Sequence, residues 1–145
     1  MVNQNEKNFS FSLESPKTPE EIFSLLLDIK KWWSGFYSEN ITGKSQKVGD
    51  EFSFRAGEGV HYSKQKLIEL IPNKKIVWLV SESNLSFLSD TAEWVNTKIC
   101  FDILKDGNQT KVIFTHYGLV PEIECYQNCS AAWTQYLEKL QKILN

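Results

Sequence analysis

The sequence is poor in the residues with which proteins hold nucleic acids and membrane surfaces. Arg55 is the only arginine among 16 basic residues, and the formal net charge is −2. Base recognition and phosphate clamps depend on the planar guanidinium group of arginine, and anionic lipid surfaces attract clusters of basic residues. The composition therefore predicts no nucleic-acid partner and no membrane-surface partner.

Long apolar runs and flexible stretches are missing as well. The longest apolar segments, Leu25–Leu27 and Ile76–Val80, are far shorter than the roughly 20 residues of a membrane-spanning helix, which predicts no membrane insertion. The polar segment 1–8 lacks the apolar core of a signal peptide, which favours a cytoplasmic location. With seven glycines and four prolines in 145 residues, we expect one folded domain over residues 8–145, preceded by a flexible tail at residues 1–7.

Aromatic residues, by contrast, make up 13% of the chain, and many of them occupy alternating positions. Alternation of apolar and polar residues predicts strands near residues 9–13, 52–55, 98–105 and 112–116. A hairpin turn at Gly57 and Gly59 leads into a predicted strand at 60–71, and residues 76–83 are predicted to form a strand that is apolar on both faces. Thr18 and Pro19 predict the start of a short helix or pair of helices, and residues 36–49 are predicted to be a loop. After Pro121, a helix of roughly 22 residues is expected to present an apolar stripe made of Cys129, Trp133, Tyr136, Leu137, Leu140 and Leu144.

This order of elements predicts an α+β fold, because runs of antiparallel hairpins are framed by helices. We expect a curved six-stranded antiparallel sheet wrapped around the long C-terminal helix, with two short helices after the first strand. One helix laid across such a sheet can bury its apolar stripe against the apolar face of the sheet.

The segment His116–Leu140 resembles the closing strand and helix of the heat-shock-protein-90 ATPase-activator homology (AHSA-like) family, within the START-like (SRPBCC) helix-grip superfamily. Four further features fit this family: the opening strand with Pro19–Phe23, the Trp32–Trp33 pair, the segment Leu70–Trp78 and the Glu93–Trp94 pair. The resemblance covers residues 8–144 and implies a cavity between the curved sheet and the long helix. It implies functions that range from hydrophobic-ligand binding and transport to cyclisation, hydrolysis and chaperone activation. Because the family has no universal catalytic motif, no catalytic residue is assigned.

Large rings on inward strand positions and in connections suit the lining of an apolar pocket. We therefore predict that a small hydrophobic molecule, such as a lipid, a polyketide or an aromatic compound, binds between sheet and C-terminal helix. His116 is the expected polar anchor. The predicted contacts are Trp33, Phe54, Trp78, Trp94, Phe101, Phe114, His116, Cys129 and Trp133. The alternative is that these rings only fill the ends of the core.

Cys125, Cys129 and His116 are predicted to share the interior, where they could form a metal site or a Cys–His nucleophile. No fourth metal ligand is evident, so we interpret the cysteines as small buried hydrophobes and predict no metal and no cofactor. A disulfide between Cys125 and Cys129 is not expected in a cytoplasmic protein. Two alternatives to ligand binding stay open: a co-chaperone that stimulates a heat-shock ATPase, and a cyclase or hydrolase that uses His116.

Overall fold

The computed structural model describes residues 7–145, in which seven antiparallel strands form one sheet. The sheet order is β1-β7-β6-β5-β4-β3-β2. The strands are β1 Phe9–Ser15, β2 Asn40–Gly43, β3 Glu51–Ala56, β4 His61–Ile71, β5 Lys75–Leu85, β6 Lys98–Asp106 and β7 Gln109–Tyr117. The helices are α1 Pro19–Leu27, α2 Ile29–Trp32 and α3 Tyr126–Ile143. The predicted α+β helix-grip fold is confirmed, whereas residues 1–6 of the predicted tail lie outside the described residues.

The packing follows the sequence periodicities. Inner positions of the strands are buried, and α3 buries Cys129, Trp133, Tyr136, Leu137 and Leu140 against them, which confirms the predicted stripe. Helix α1 begins where the sequence predicts it, because Thr18 Oγ1 accepts a hydrogen bond of 3.1 Å from the backbone N–H of Glu21. None of the helices in residues 7–145 has the length and apolarity needed to cross a bilayer.

The sheet has one strand more than the predicted six. The additional strand, β2, lies inside the segment 36–49 that was predicted to be a loop, and it pairs with β3 at the edge of the sheet. It has four residues with no buried position, so it lacks the alternation from which a strand can be recognised. Gly43, at the end of β2, permits close pairing with β3, because a Cβ atom there would lie 2.4 Å from the Glu51 carbonyl oxygen.

The last helix is shorter than predicted, because it begins at Tyr126 rather than directly after Pro121. The carboxylate of Glu93 accepts hydrogen bonds from the backbone N–H groups of Cys125 (2.8 Å) and Glu124 (3.0 Å), just before the helix starts. Glu124 in turn accepts one from the backbone N–H of Ser89 (3.0 Å). These bonds tie the connection between β5 and β6 to the start of α3, which no local pattern could have revealed.

Candidate functional site

A cavity of about 390 Å³ lies at one end of the core, between the start of α3, the β3–β4 hairpin and the β5–β6 connection. Its wall contains seven large rings, which are those of Trp33, Tyr37, Phe54, Phe87, Trp94, Trp133 and Tyr136. On α3, the small side chains of Ala131 and Ala132 leave the space open. The volume falls within the roughly 300–1,000 Å³ that is usual for small-molecule sites.

The rings of the wall support one another. Trp33 stacks on Phe54 with ring centroids 4.2 Å apart and contacts Trp133 at 4.8 Å. Trp94 lies parallel to Trp133 at 6.0 Å. Because these rings hold one another in place, this part of the wall is already formed without a ligand, which reduces the entropy that binding must remove.

The structure brings together some of the predicted contact residues and separates others. Trp33, Phe54, Trp94, Cys129 and Trp133 line the cavity. The other four predicted contacts do not line it and are fully buried in the core behind it; they are Trp78, Phe101, Phe114 and His116. The interior between sheet and helix is therefore filled at these four positions, and the cavity lies at one end of it.

His116, the expected polar anchor, is completely buried and has both ring nitrogens in hydrogen bonds. Its Nδ1 accepts from the indole N–H of Trp133 (3.0 Å), so the neutral ring carries its proton on Nε2 and donates to Thr97 Oγ1 (2.8 Å). The Thr97 hydroxyl donates in turn to the carbonyl oxygen of Trp94 (2.6 Å). Burial lowers the pKa of His116 to about 3. This histidine positions Trp133 and Trp94 and stays neutral, which does not favour acid–base chemistry.

His61, the other histidine of the chain, does line the cavity, although it was not among the predicted contacts. It stands at the start of β4 and meets Trp94 edge to face at 4.8 Å and Phe54 at 5.4 Å. Burial lowers its pKa to about 4, so the ring is neutral at pH 7. Its alternation with the buried Ser63 and Gln65 was the signal that could have identified it.

Glu39 organises the segment beside the cavity mouth. Its carboxylate accepts hydrogen bonds from the backbone N–H groups of Gly35 (2.8 Å), Phe36 (3.1 Å) and Tyr37 (3.0 Å), and from the Tyr136 hydroxyl (2.7 Å). Burial acts to raise the pKa of Glu39, but the hydrogen bond from Tyr136 and those from the backbone outweigh it, and the pKa is lowered. The ionised carboxylate thus joins this segment to α3.

The cysteines differ from the sequence-based expectation. Cys125 and Cys129 form a disulfide, which is possible because one helical turn places their Cα atoms 5.5 Å apart. Cys100 is a buried free thiol, and burial together with the nearby Asp102 carboxylate raises its pKa to about 12. Within residues 7–145, no three His, Cys, Asp or Glu side chains are grouped in a way that could hold a metal ion.

A curved antiparallel sheet that grips one long helix and leaves an apolar cavity at one end defines a helix-grip protein with a preformed pocket. The chain belongs to the family described as "Activator of Hsp90 ATPase homolog 1-like protein", whose family model matches residues 17–145. The resemblance inferred from His116–Leu140 is therefore confirmed. No curated protein matches this chain.

Among solved structures, the Aha1 dimer from Colwellia psychrerythraea is similar to this chain, with 28% identity and a TM-score of 0.73 over 99% of this chain and 96% of the other. Protein CV1439 from Chromobacterium violaceum shares 16% identity with a TM-score of 0.69, over 96% and 97% of the two chains. CalU16 from Micromonospora echinospora shares 12% identity with a TM-score of 0.65, over 95% and 76%. At such low identity, the last two support the fold alone.

Proposed function

We propose that this protein binds a small hydrophobic molecule in the cavity beside the start of α3. The observation that carries the proposal is a preformed space of about 390 Å³ with a wall built mainly from aromatic rings. A ligand that covers these rings removes apolar surface from water, which contributes about 25 cal/mol per Å² before the costs of association.

The mouth of the cavity supplies a route of entry. Val60 and Phe87 line the cavity, and both are 43% exposed. Tyr37, also in the lining, is 41% exposed and is followed closely by Glu39, whose hydrogen bonds hold this segment in place. Exposed apolar side chains around a cavity are typical of ligand-binding openings.

The test is titration with N-phenyl-1-naphthylamine, a neutral dye whose fluorescence rises in apolar surroundings. We expect saturable binding to the natural protein and at least about tenfold weaker binding to Ala132→Phe, because the new ring fills the cavity. Ala92→Phe is the matched control, since Ala92 is exposed and lies outside the cavity wall. Equal affinity in both variants, or a rise in fluorescence that never saturates, would refute the proposal.

Stimulation of a heat-shock ATPase is a second candidate, which family membership favours. Phe36 and Phe87 are each 43% exposed near the cavity mouth, and exposed rings of this kind are common where proteins interact. We expect the protein to raise the ATP turnover of the Hsp90-type chaperone from the same cell, and the variant with Phe36→Ser and Phe87→Ser to lose that effect while keeping its circular dichroism spectrum. Unchanged turnover with the natural protein would eliminate this candidate.

The cytoplasmic location and the absence of a defined catalytic activity stay predictions. The disulfide between Cys125 and Cys129 bears on the location, because disulfides are rare in reducing cytoplasm. Fractionation of cells under conditions that block thiol exchange, followed by mass analysis of the protein, would measure both its compartment and the state of this pair.

A further inference from the structure

Two buried nitrogen atoms on residues of the cavity wall have no hydrogen-bond partner. Within residues 7–145, the side-chain atoms in this condition are Nε2 of His61, Nε1 of Trp94 and Oε1 of Gln65. His61 and Trp94 both line the cavity, and their rings meet edge to face at 4.8 Å. Burying a polar group without a partner destabilises the folded state, so such atoms are rare in folded proteins and call for an explanation.

The other polar side chains of the wall have hydrogen-bond partners or are exposed to water. The Tyr136 hydroxyl donates to Glu39, and the Tyr37 hydroxyl donates to Gln135. Asn128 is exposed, so water can satisfy its amide. Unsatisfied hydrogen-bonding capacity in the wall is therefore concentrated at the contact between His61 and Trp94.

The charge of the wall restricts what could satisfy these nitrogens. Among the described side chains that line the cavity, none is a lysine, arginine, aspartate or glutamate. His61 is neutral at pH 7, because burial lowers its pKa to about 4. A carboxylate or ammonium group would enter this cavity without a counter-ion, which is strongly unfavourable in apolar surroundings.

The chemistry of the two atoms is complementary to a neutral group that accepts one hydrogen bond and donates another, such as a hydroxyl group. The indole N–H of Trp94 can only donate a hydrogen bond, whereas Nε2 of a neutral imidazole accepts one when the proton is on Nδ1. A hydroxyl group can accept and donate at once, which neither an ether nor an aldehyde can do. Stacked and edge-to-face contacts with the rings of Trp33, Phe54 and Trp133 favour an aromatic body for the rest of the molecule.

We infer that the ligand is a neutral aromatic molecule with a hydroxyl group, which accepts a hydrogen bond from Trp94 Nε1 and donates one to His61 Nε2. This inference rests on the proposed function and adds the chemical class of the ligand. Both nitrogens have almost no solvent-accessible surface, so the side chains of His61 and Trp94 must shift slightly for the hydroxyl group to reach hydrogen-bonding distance.

The test compares 2-naphthol with naphthalene and with 2-naphthoate by isothermal titration calorimetry at pH 7. We expect 2-naphthol to bind at least about tenfold more tightly than naphthalene, because its hydroxyl group satisfies groups that are otherwise left unpaired. It should also bind at least about tenfold more tightly than 2-naphthoate, whose charge has no partner in the wall.

Two variants remove the nitrogens and keep an aromatic ring in place. We expect His61→Phe and Trp94→Phe each to reduce the preference for 2-naphthol over naphthalene to less than about threefold, while naphthalene still binds. Tyr62→Phe is the matched control, because it removes a hydroxyl group that donates to Glu82 and does not line the cavity. The control should keep the full preference.

The possible results are distinguishable. If naphthalene and 2-naphthol bind the natural protein equally, the inference is wrong and the proposed function stands. The same conclusion follows if 2-naphthoate binds as well as 2-naphthol, or if His61→Phe keeps the full preference. If none of the three probes binds, and the neutral dye does not bind either, both the inference and the proposed function are wrong.

Discussion

The hydrogen bond between Trp133 and His116 can be tested by substituting its two members separately and together. In His116→Phe, the indole N–H of Trp133 loses its acceptor and Thr97 loses a donor, and both groups stay buried. In Trp133→Phe, the imidazole Nδ1 loses its donor and part of the packing around it is removed. When both residues are phenylalanine, neither member of the pair is left unsatisfied.

The expected magnitudes follow from these contacts. A buried polar group without a partner costs about 1–3 kcal/mol, so we expect His116→Phe to lower the free energy of unfolding by about 2–4 kcal/mol. Trp133→Phe should cost a similar amount, because it combines one unsatisfied nitrogen with lost packing. We expect the double variant to cost about 1–2 kcal/mol less than the sum of the single changes, because the two penalties arise from one hydrogen bond.

The assay is urea denaturation followed by far-ultraviolet circular dichroism at pH 7.5, where His116 is neutral in both states. Trp78→Phe combined with His116→Phe is the matched control, because Trp78 donates to Ser45 (2.8 Å) and has no hydrogen bond to His116. That pair should be additive within about 0.5 kcal/mol. If the changes in unfolding free energy of Trp133→Phe and His116→Phe are additive within the same limit, the two residues are not coupled and the proposed effect of this hydrogen bond is refuted.

Three further predictions concern pH, backbone and cysteines. The pKa of His116 is about 3 in the folded protein, which is below its pKa in the unfolded chain. At a pH between these two pKa values, His116 therefore binds a proton only in the unfolded state. Stability should therefore fall as the pH falls, and His116 should account for about 2 kcal/mol of the loss between pH 7 and pH 5. His61, whose folded-state pKa is about 4, should contribute nearly as much, so His116→Phe should remove about half of the loss that the two histidines cause. Gly43→Ala should lower the free energy of unfolding by at least about 1 kcal/mol more than Gly49→Ala. Both glycines have positive φ, but only the new Cβ atom at position 43 would also clash with the backbone of Glu51. A melting temperature equal in the two variants would contradict this. When the protein is alkylated in denaturant without reductant, we expect mass spectrometry to show modification of Cys100 alone, because Cys125 and Cys129 are paired. Modification of all three cysteines would contradict the disulfide.

Much of the fold could be predicted because it depends on neighbours in the chain. The inward positions of β6 and β7 and the stripe on α3 follow from periods of two and 3.6 residues, which the side chains themselves display. The start of α1 follows from one capping residue and one proline. The missed strand β2 and the late start of α3 depend instead on edge pairing with β3 and on Glu93, which is distant in sequence.

The candidate site could be predicted only in part. Periodicity correctly directs His116 toward the interior, but it does not reveal which interior residues reach empty space. That depends on how α3 and the β5–β6 connection pack against the sheet. The indole of Trp133 packs against His116 and donates a hydrogen bond to its Nδ1 atom, so this nitrogen is not available to a ligand. His61, less prominent in the sequence, is the histidine that lines the cavity.

The scarcity of arginine and the abundance of aromatic rings were enough to predict an apolar interior, and they predict neither a nucleic-acid partner nor a membrane-surface partner. The sequence also determined the order and faces of most elements, because these depend on residues a few positions apart. Only the tertiary structure decided where the interior stays open and which of its nitrogens stay unsatisfied. His61 begins β4 and Trp94 lies in the β5–β6 connection, and their contact is made only when these elements and α3 pack together.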